Sequence, residues 1–165
     1  MRRVRSLGTG SGPPVPRAGG EAMLIRDVVA HKGSSVVTVE PAITVLEAAR
    51  VLVQNGIGSA VVVEGQSVVG ILTERDVLRL AADDPARLAT MQVSECMNSE
   101  LEVGALTESV NHAMSVMTMR RIRHLPIMDE GRLAGLVSIG DLVNANLTEL
   151  TDENEWLRDY VQGGG

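Results

Sequence analysis

Apolar and polar positions follow the same order in two stretches of the chain, and each stretch predicts the same set of elements. In the first stretch, a β-branched run is followed, from Val45, by apolar residues at helical spacing. Thr44 and Glu47 form a capping-box pattern at the helix start, and Asn55-Gly56 is typical of a helix end. The pattern predicts a strand at 36–39, a helix at 44–55, strands at 59–64 and 67–72, and a helix at 73–82.

The second stretch repeats this order. It predicts a weak strand at 101–103, a helix at 109–120, strands at 124–128 and 132–137, and a helix from 139. The two copies share the motif Gly-x-x-Thr/Ser-x-x-Asp, which runs from Gly70 to Asp76 and again from Gly135 to Asp141. The constant offset of 65 residues between the copies (141 minus 76) indicates a duplicated unit.

Each unit has the order strand, helix, strand, strand, helix, and its three-stranded sheet is too small to be stable alone. We therefore predict an α+β fold in which two β-α-β-β-α units pack sheet to sheet about a pseudo-two-fold axis and share a core. The predicted boundaries are a disordered tail at 1–22, a first repeat at 23–85, a second repeat at 86–147, and a C-terminal helix extension and tail at 148–165.

The net charge of −6 argues against nucleic acid as a partner, and the near absence of aromatic residues leaves no platform for stacking bases. Positive charge is concentrated at the start, where residues 1–22 carry four arginines and one glutamate among glycines and prolines. This composition predicts disorder. Two interpretations stay open: a start that precedes the first ordered residue at Met23, or an arm that binds an anionic surface.

The single cysteine, Cys96, excludes a disulfide within the chain and a cysteine metal cluster, so a reducing cytoplasm is the default location. No stretch approaches the roughly 20 apolar residues of a membrane span, so no membrane association is expected. The sequence has no Gly-Lys-Ser/Thr phosphate loop, no dinucleotide-binding glycine motif and no histidine spacing typical of a metal site. We therefore predict neither a catalytic site nor a metal site, and no enzyme activity.

Four segments, in order and at constant spacing between the copies, resemble the cystathionine-β-synthase (CBS) domain, and the pair resembles a Bateman module. They lie at 56–63, 70–76, 123–127 and 135–141, within a likeness that covers about residues 23–147. The resemblance implies a non-catalytic regulatory module that binds an adenosine ligand, such as AMP, ADP, ATP, NAD or S-adenosylmethionine, between the repeats. It also implies disc-like homodimers, so that a signal passes through dimer geometry or to a separate protein partner.

The hydroxyl and the acid of the repeated motif are the candidate ligand-binding residues. Asp76 and Asp141 each fall in the first turn of a predicted helix, where a carboxylate could accept hydrogen bonds from both hydroxyls of a ribose. Thr73 and Ser138 could bind ribose or phosphate at the same helix starts. The same spacing is also typical of a helix cap, and both roles can hold together.

In the family, a pocket takes its ribose-binding acid from one repeat and its base-contacting strand from the other. Carried over to this chain, one site would combine Ser138 and Asp141 with Ile57, Gly58 and Ser59, and the other would combine Thr73 and Asp76 with Ile122, Arg123 and His124. The base would lie against Ile57, Gly58, Ser59 and Ile122, because adenine needs backbone groups and an apolar slot.

Phosphate oxygens would be bound by Arg123, His124 and Lys32. The alternatives are a solvated charge cluster that includes a half-buried histidine, and a plain loop lysine. The two copies differ here, since the second has Gly140 where the first has Arg75. We therefore expect one tight and one weak site.

An apolar seam with steps of four and three residues runs along the predicted last helix, through Val143, Leu147, Leu150, Asn154, Leu157 and Val161. This heptad-like spacing predicts a helix whose apolar face packs either on a second chain in a homodimer or on its own repeat. The alternative function is accordingly a ligand-free dimeric adaptor that is held together by this helix and binds another protein.

Overall fold

The computed structural model describes the backbone of residues 22–162 and the side chains of residues 22–151. The predicted disordered tail therefore lies outside the described residues, apart from Ala22. The helices within this range are α1 (Ile25–Lys32), α2 (Val45–Asn55), α3 (Glu74–Asp83), α4 (Val93–Cys96), α5 (Val110–Arg120) and α6 (Ile139–Gln162), and a 3₁₀ turn spans Pro85–Ala89. The strands are β1 (Thr38–Val39), β2 (Ser59–Glu64), β3 (Ser67–Thr73), β4 (Gly104–Ala105), β5 (His124–Asp129) and β6 (Arg132–Ser138).

The strands form two three-stranded sheets with the same topology, β1-β2-β3 and β4-β5-β6. In each sheet the first pair is parallel and the second is an antiparallel hairpin. The predicted α+β fold with two β-α-β-β-α units is confirmed. The predicted strand at 101–103 is wrong, because Gly104 and Ala105 are the residues that align with Ile127 and Met128 of β5.

Matching caps delimit the first helix of both repeats. The Thr44 and Ser109 hydroxyls accept the backbone N–H three residues on, as the capping pattern predicts for α2. Gly56 ends α2 with a left-handed φ of 62°, which glycine adopts without strain. At the equivalent position of the second repeat, Arg121 takes the same conformation with a φ of 55°.

Two short helices that sequence reasoning missed cross between the repeats. Helix α1 precedes the first repeat but pairs with the second, where the Ile25 N–H donates to the Glu108 carbonyl at 2.8 Å. Helix α4 precedes the second repeat but pairs with the first, where the Val93 N–H donates to the Ile43 carbonyl at 2.9 Å. The helix that precedes one repeat's first strand in the sequence therefore packs on the other repeat.

The buried apolar residues follow this exchange and form two clusters, one in each repeat. One cluster contains β1, α2, β2 and β3 residues together with Val93 of α4. The other contains α5, β5, β6 and α6 residues together with Ile25, Val28 and Val29 of α1. Val61 and Pro126 alternate with the cluster residues of β2 and β5, and both are buried on the opposite sheet faces. Strands β3 and β6 contact each other between the repeats, so both faces of the sheets are covered.

The exchanged helices explain the glycine that opens each repeated motif. A Cβ on Gly135 of β6 would lie 3.0 Å from Cγ2 and 3.1 Å from Cγ1 of Val29 in α1. A Cβ on Gly70 of β3 would lie 2.9 Å from Cγ of Met97 and 3.2 Å from the Asn98 carbonyl oxygen. Only glycine lets the exchanged segments approach the strands this closely.

Helix α6 continues beyond the second repeat and exposes part of its apolar seam. Val143, Leu147 and Leu150 are 39%, 57% and 49% exposed. The remaining seam positions, Asn154, Leu157 and Val161, lie outside the residues whose side chains are described. None of the helices between residues 22 and 162 combines the length and apolar composition that crossing a membrane requires.

Candidate ligand cleft between the repeats

A cavity of about 290 Å³ opens at the seam between the two repeats. Its lining comes from Gly58 and Glu74 of the first repeat and from Arg123, His124, Ser138, Ile139 and Gly140 of the second. The Glu74 N–H donates to the Gly58 carbonyl and the Ile139 N–H donates to the Arg123 carbonyl, both at 2.9 Å. These equivalent bonds fix the starts of α3 and α6 on the two sides of the cavity.

Ser138 and Asp141 form a reciprocal cap at the start of α6. The Ser138 N–H donates to Oδ2 of Asp141 at 2.7 Å, and the Asp141 N–H donates to the Ser138 Oγ at 3.1 Å. The capping role that the sequence left open is therefore present at this motif. It uses one carboxylate oxygen, and among the described residues no hydrogen bond reaches the other oxygen, Oδ1.

The Asp141 carboxylate also holds a lysine from the exchanged helix. Lys32, the last residue of α1, donates from Nζ to Oδ2 of Asp141 at 2.5 Å and to the Leu136 carbonyl at 3.1 Å. Burial alone would raise the pKa of Asp141, but the hydrogen bonds from Lys32 and Ser138 outweigh it and the pKa is lowered. The acid is therefore ionised at neutral pH.

Thr73 and Asp76 form the equivalent cap at the start of α3. The Thr73 N–H and hydroxyl donate to Oδ2 of Asp76 at 2.9 and 2.5 Å, and the Asp76 N–H donates to the Thr73 hydroxyl at 3.3 Å. No cation among residues 22–151 lies within ion-pair distance of this acid. The two motifs thus share their local geometry and differ in their charged surroundings.

His124 is one of the titratable groups in the cavity wall. It lies at the start of β5 opposite Ser138, with the charges of Lys32, Arg123, Asp141 and Glu74 around it. Burial and then the neighbouring cations Lys32 and Arg123 lower its pKa, so the imidazole is neutral at pH 7. A neutral imidazole can both donate and accept a hydrogen bond.

The structure brings together only part of each predicted site. Gly58 and Ser138 line the same cavity, and Asp141 lies beside it through its bonds to Ser138. Arg123 and His124, which the sequence assigned to the site of Thr73 and Asp76, line the same cavity as Ser138. The sequence-based assignment follows the family's rule that a pocket takes its acid from one repeat and its strand from the other. In the structure, residues of the second repeat's strand and of its own motif line one cavity together.

The predicted base-contacting residues do not share one environment in the structure. Ile57 packs against the first apolar cluster and Ile122 against the second, at equivalent positions. Ser59 is 2% exposed in β2. Gly58 has an ordinary φ, and a Cβ there would lie 3.5 Å from the Glu74 carboxyl carbon, which is a normal contact.

Glu74, Ile139 and Gly140 line the cavity but were not candidates from the sequence. All three lie inside the repeated motif, between its hydroxyl and its acid, so the motif itself was the signal that could have found them. Glu74 and Ile139 are equivalent positions, which puts a carboxylate on one side of the cavity and an apolar side chain on the other.

A second cavity of about 450 Å³ lies within the first repeat, between β1 and α2. It is lined by residues such as Thr38, Ile43 and Val51, and none of its lining residues belongs to the duplicated polar motif. Among residues 22–151, no group of three or more His, Cys, Asp or Glu side chains is arranged to hold a metal ion. The seam cavity is therefore the candidate site.

The model for the CBS domain family matches residues 25–83 and again residues 93–147. The chain belongs to the CBS domain family. The Arabidopsis thaliana CBS domain-containing protein CBSX3, mitochondrial, is 35% identical over 158 residues, which cover 89% of this chain and 76% of that protein. The Bacillus subtilis CBS domain-containing protein YhcV is 40% identical over 110 residues, which cover 66% and 77% of the two chains.

Solved structures show the same pair of CBS domains. The CBS-domain containing protein ATU1752 from Agrobacterium tumefaciens superposes with a TM-score of 0.72 at 37% identity, over 75% of this chain and 99% of that one. The CBS domain pair of protein MJ0100, solved in complex with 5′-methylthioadenosine and S-adenosyl-L-methionine, has a TM-score of 0.69 over 78% of this chain and 99% of that one. At 22% identity, this second likeness concerns the fold alone.

Proposed function

We propose that this CBS domain pair is a non-catalytic regulatory module that binds an adenosine nucleotide (AMP, ADP or ATP) or NAD in the cleft between its repeats. The observation that carries the proposal is the joint position of Asp141 and Ser138 beside a seam cavity that also contains Arg123 and His124. An acid for the ribose, and for the phosphate the cation Arg123 and the neutral hydrogen-bonding group His124, thus lie on one wall.

The geometry supports ribose binding at Asp141 because the cap leaves Oδ1 without a hydrogen bond. A ribose hydroxyl that donates to this oxygen gains a charge-assisted bond without dismantling the start of α6. Arg123 supplies a planar, permanently charged guanidinium, which matches phosphate oxygens. The first repeat offers Asp76 without a neighbouring cation, so we propose that its site is the weaker of the two.

The adenosyl ligands of the MJ0100 pair support an adenosine-type ligand for this fold. A base in the cavity would meet the backbone at Gly58 and the apolar side chain of Ile139. We propose a reducing cytoplasm for the module because its single cysteine, Cys96, cannot form a disulfide within the chain.

We also propose that the module acts as a homodimer and signals through the geometry of that dimer. The exposed seam of Val143 and Leu147 on α6 supports this part of the proposal. The same seam favours the alternative, a ligand-free dimeric adaptor that binds another protein. The two functions differ in whether nucleotides stabilise the chain.

Thermal unfolding with AMP, ADP, ATP, NAD and a no-ligand control tests the proposal. A ligand at 100 times its Kd stabilises the native state by about 2.7 kcal/mol, which raises the Tm of a chain of this size by roughly 5–10 °C. Asp141→Ala should abolish the ligand-induced shift, while the matched variant Asp76→Ala should retain most of it. A shift that survives Asp141→Ala contradicts the ribose assignment, and no shift with any of the four ligands favours the adaptor.

A further inference from the structure

Lys32 belongs to the candidate site only because of the helix exchange. It ends α1, which the buried residues Ile25, Val28 and Val29 anchor in the core of the second repeat. The ammonium is held at two points, by Oδ2 of Asp141 and by the Leu136 carbonyl. The side chain is 43% exposed and the acid 26% exposed, so the ion pair lies at the edge of the cleft.

Oδ2 of Asp141 already accepts two hydrogen bonds, from Lys32 Nζ and from the Ser138 N–H. A carboxylate oxygen has two lone pairs, so this oxygen has no remaining acceptor site. A ribose that uses both of its hydroxyls on one carboxylate needs Oδ1 and Oδ2 together. Such a ligand therefore has to displace Lys32, since the Ser138 N–H is fixed by the start of α6.

The displaced ammonium then needs a new counter-ion. It would lie near Arg123 and the neutral His124, whose pKa is lowered by burial and then by the charges of Lys32 and Arg123. A phosphate on the ligand supplies oxygens that replace the carboxylate. An unphosphorylated adenosine ligand leaves the exposed Lys32 ammonium beside another cation without a counter-ion, so the ion pair is lost and not replaced.

We propose that Lys32 makes the Asp141 site selective for phosphorylated over unphosphorylated adenosine ligands, because only a phosphate replaces the carboxylate that the ammonium releases. This inference rests on the proposed function and deepens it. The equivalent helix, α4, is four residues long and ends at Cys96. It brings no cation to Asp76 among residues 22–151, so the selectivity belongs to the second motif.

AMP and adenosine test the inference because they differ only by the phosphate. Isothermal titration should show that the 165-residue chain binds AMP more tightly than adenosine. In Lys32→Met we expect the Kd of AMP to rise about three- to tenfold and the Kd of adenosine to fall, because Oδ2 becomes free. Lys32→Arg should keep the preference for AMP. Arg26→Met removes an exposed cation from the same helix and should change neither Kd.

Opposite changes for the two ligands are the decisive result, since a purely structural loss of α1 would weaken both. Equal weakening of both, or no change in either, would overturn the role of Lys32 while leaving nucleotide binding intact. A wild-type protein that prefers adenosine would overturn it as well. If the wild-type protein binds neither AMP nor adenosine, and thermal unfolding shows no shift with ADP, ATP or NAD, the proposed function itself fails. Lys32→Gln, with its Tm measured alongside, repeats the test with a polar side chain.

Discussion

The contact between Gly135 of β6 and Val29 of α1 gives the sharpest test of the helix exchange. In Gly135→Ala the new Cβ would lie 3.0 and 3.1 Å from the two Val29 methyl carbons, against about 3.5–4.0 Å for a relaxed carbon–carbon contact. Val29 is 8% exposed and β-branched, so it has little room to rotate away. We expect α1 to be pushed outward.

The magnitude follows from two opposing effects. Overpacking a buried contact costs about 1–3 kcal/mol, and replacing a strand glycine by alanine returns about 0.5–1 kcal/mol. Gly135→Ala should therefore lower the free energy of unfolding by up to about 2.5 kcal/mol. Val29→Ala alone should lower it by about 2 kcal/mol, because two buried methyl groups are lost. In the double variant the alanines fit together, so the combined loss should be at least about 1 kcal/mol smaller than the sum.

Urea unfolding of the wild type, both single variants and the double variant measures this coupling. Gly140→Ala is the matched control, because its Cβ would meet only the Ser138 Oγ at 3.7 Å and it lies in a helix, where alanine adds up to about 1 kcal/mol. Additive losses in the double variant would refute the packing of α1 on the second repeat.

Two further predictions concern His124 and the last helix. The pKa of His124 is lowered in the folded chain by burial and nearby cations, so its contribution to stability is present above the unfolded pKa of about 6.5 and is lost as the pH falls below it. Urea midpoints between pH 7.5 and 5.5 should therefore fall less steeply in His124→Gln than in the wild type, and equal slopes would exclude this role. Leu147→Asp places a charge on a side chain that is 57% exposed, so it should weaken the proposed self-association in sedimentation equilibrium while changing monomer stability by less than about 0.5 kcal/mol. An unchanged dimer would show that the described part of the seam is not the interface.

The elements that sequence reasoning predicted well are those whose signals are local. The capping box of Thr44 and Glu47 and the left-handed Gly56 lie within a few residues of the structure they specify. The repeated motif likewise predicted both caps and the strands in front of them. These signals fixed the order of elements in each repeat.

The partners of α1 could not be predicted in the same way. Ile25, Val28 and Val29 follow helical spacing, which was a signal for a helix, but nothing nearby indicates that the helix packs on a repeat that begins some 60 residues later. The pairing of Lys32 with Asp141 depends on that exchange and joins residues 109 positions apart. Sequence reasoning therefore proposed both residues for ligand binding but missed the contact between them.

The exchanged helices also constrain the order in which the chain can assemble as it is synthesised. Helix α4 follows the first repeat closely, so the first core can close soon after Cys96 leaves the ribosome. Helix α1 emerges at the start, yet its partners extend to Leu142 in α6. We expect its apolar stripe to remain exposed on the nascent chain until the second sheet has emerged, which makes this segment a natural binding site for a chaperone during translation.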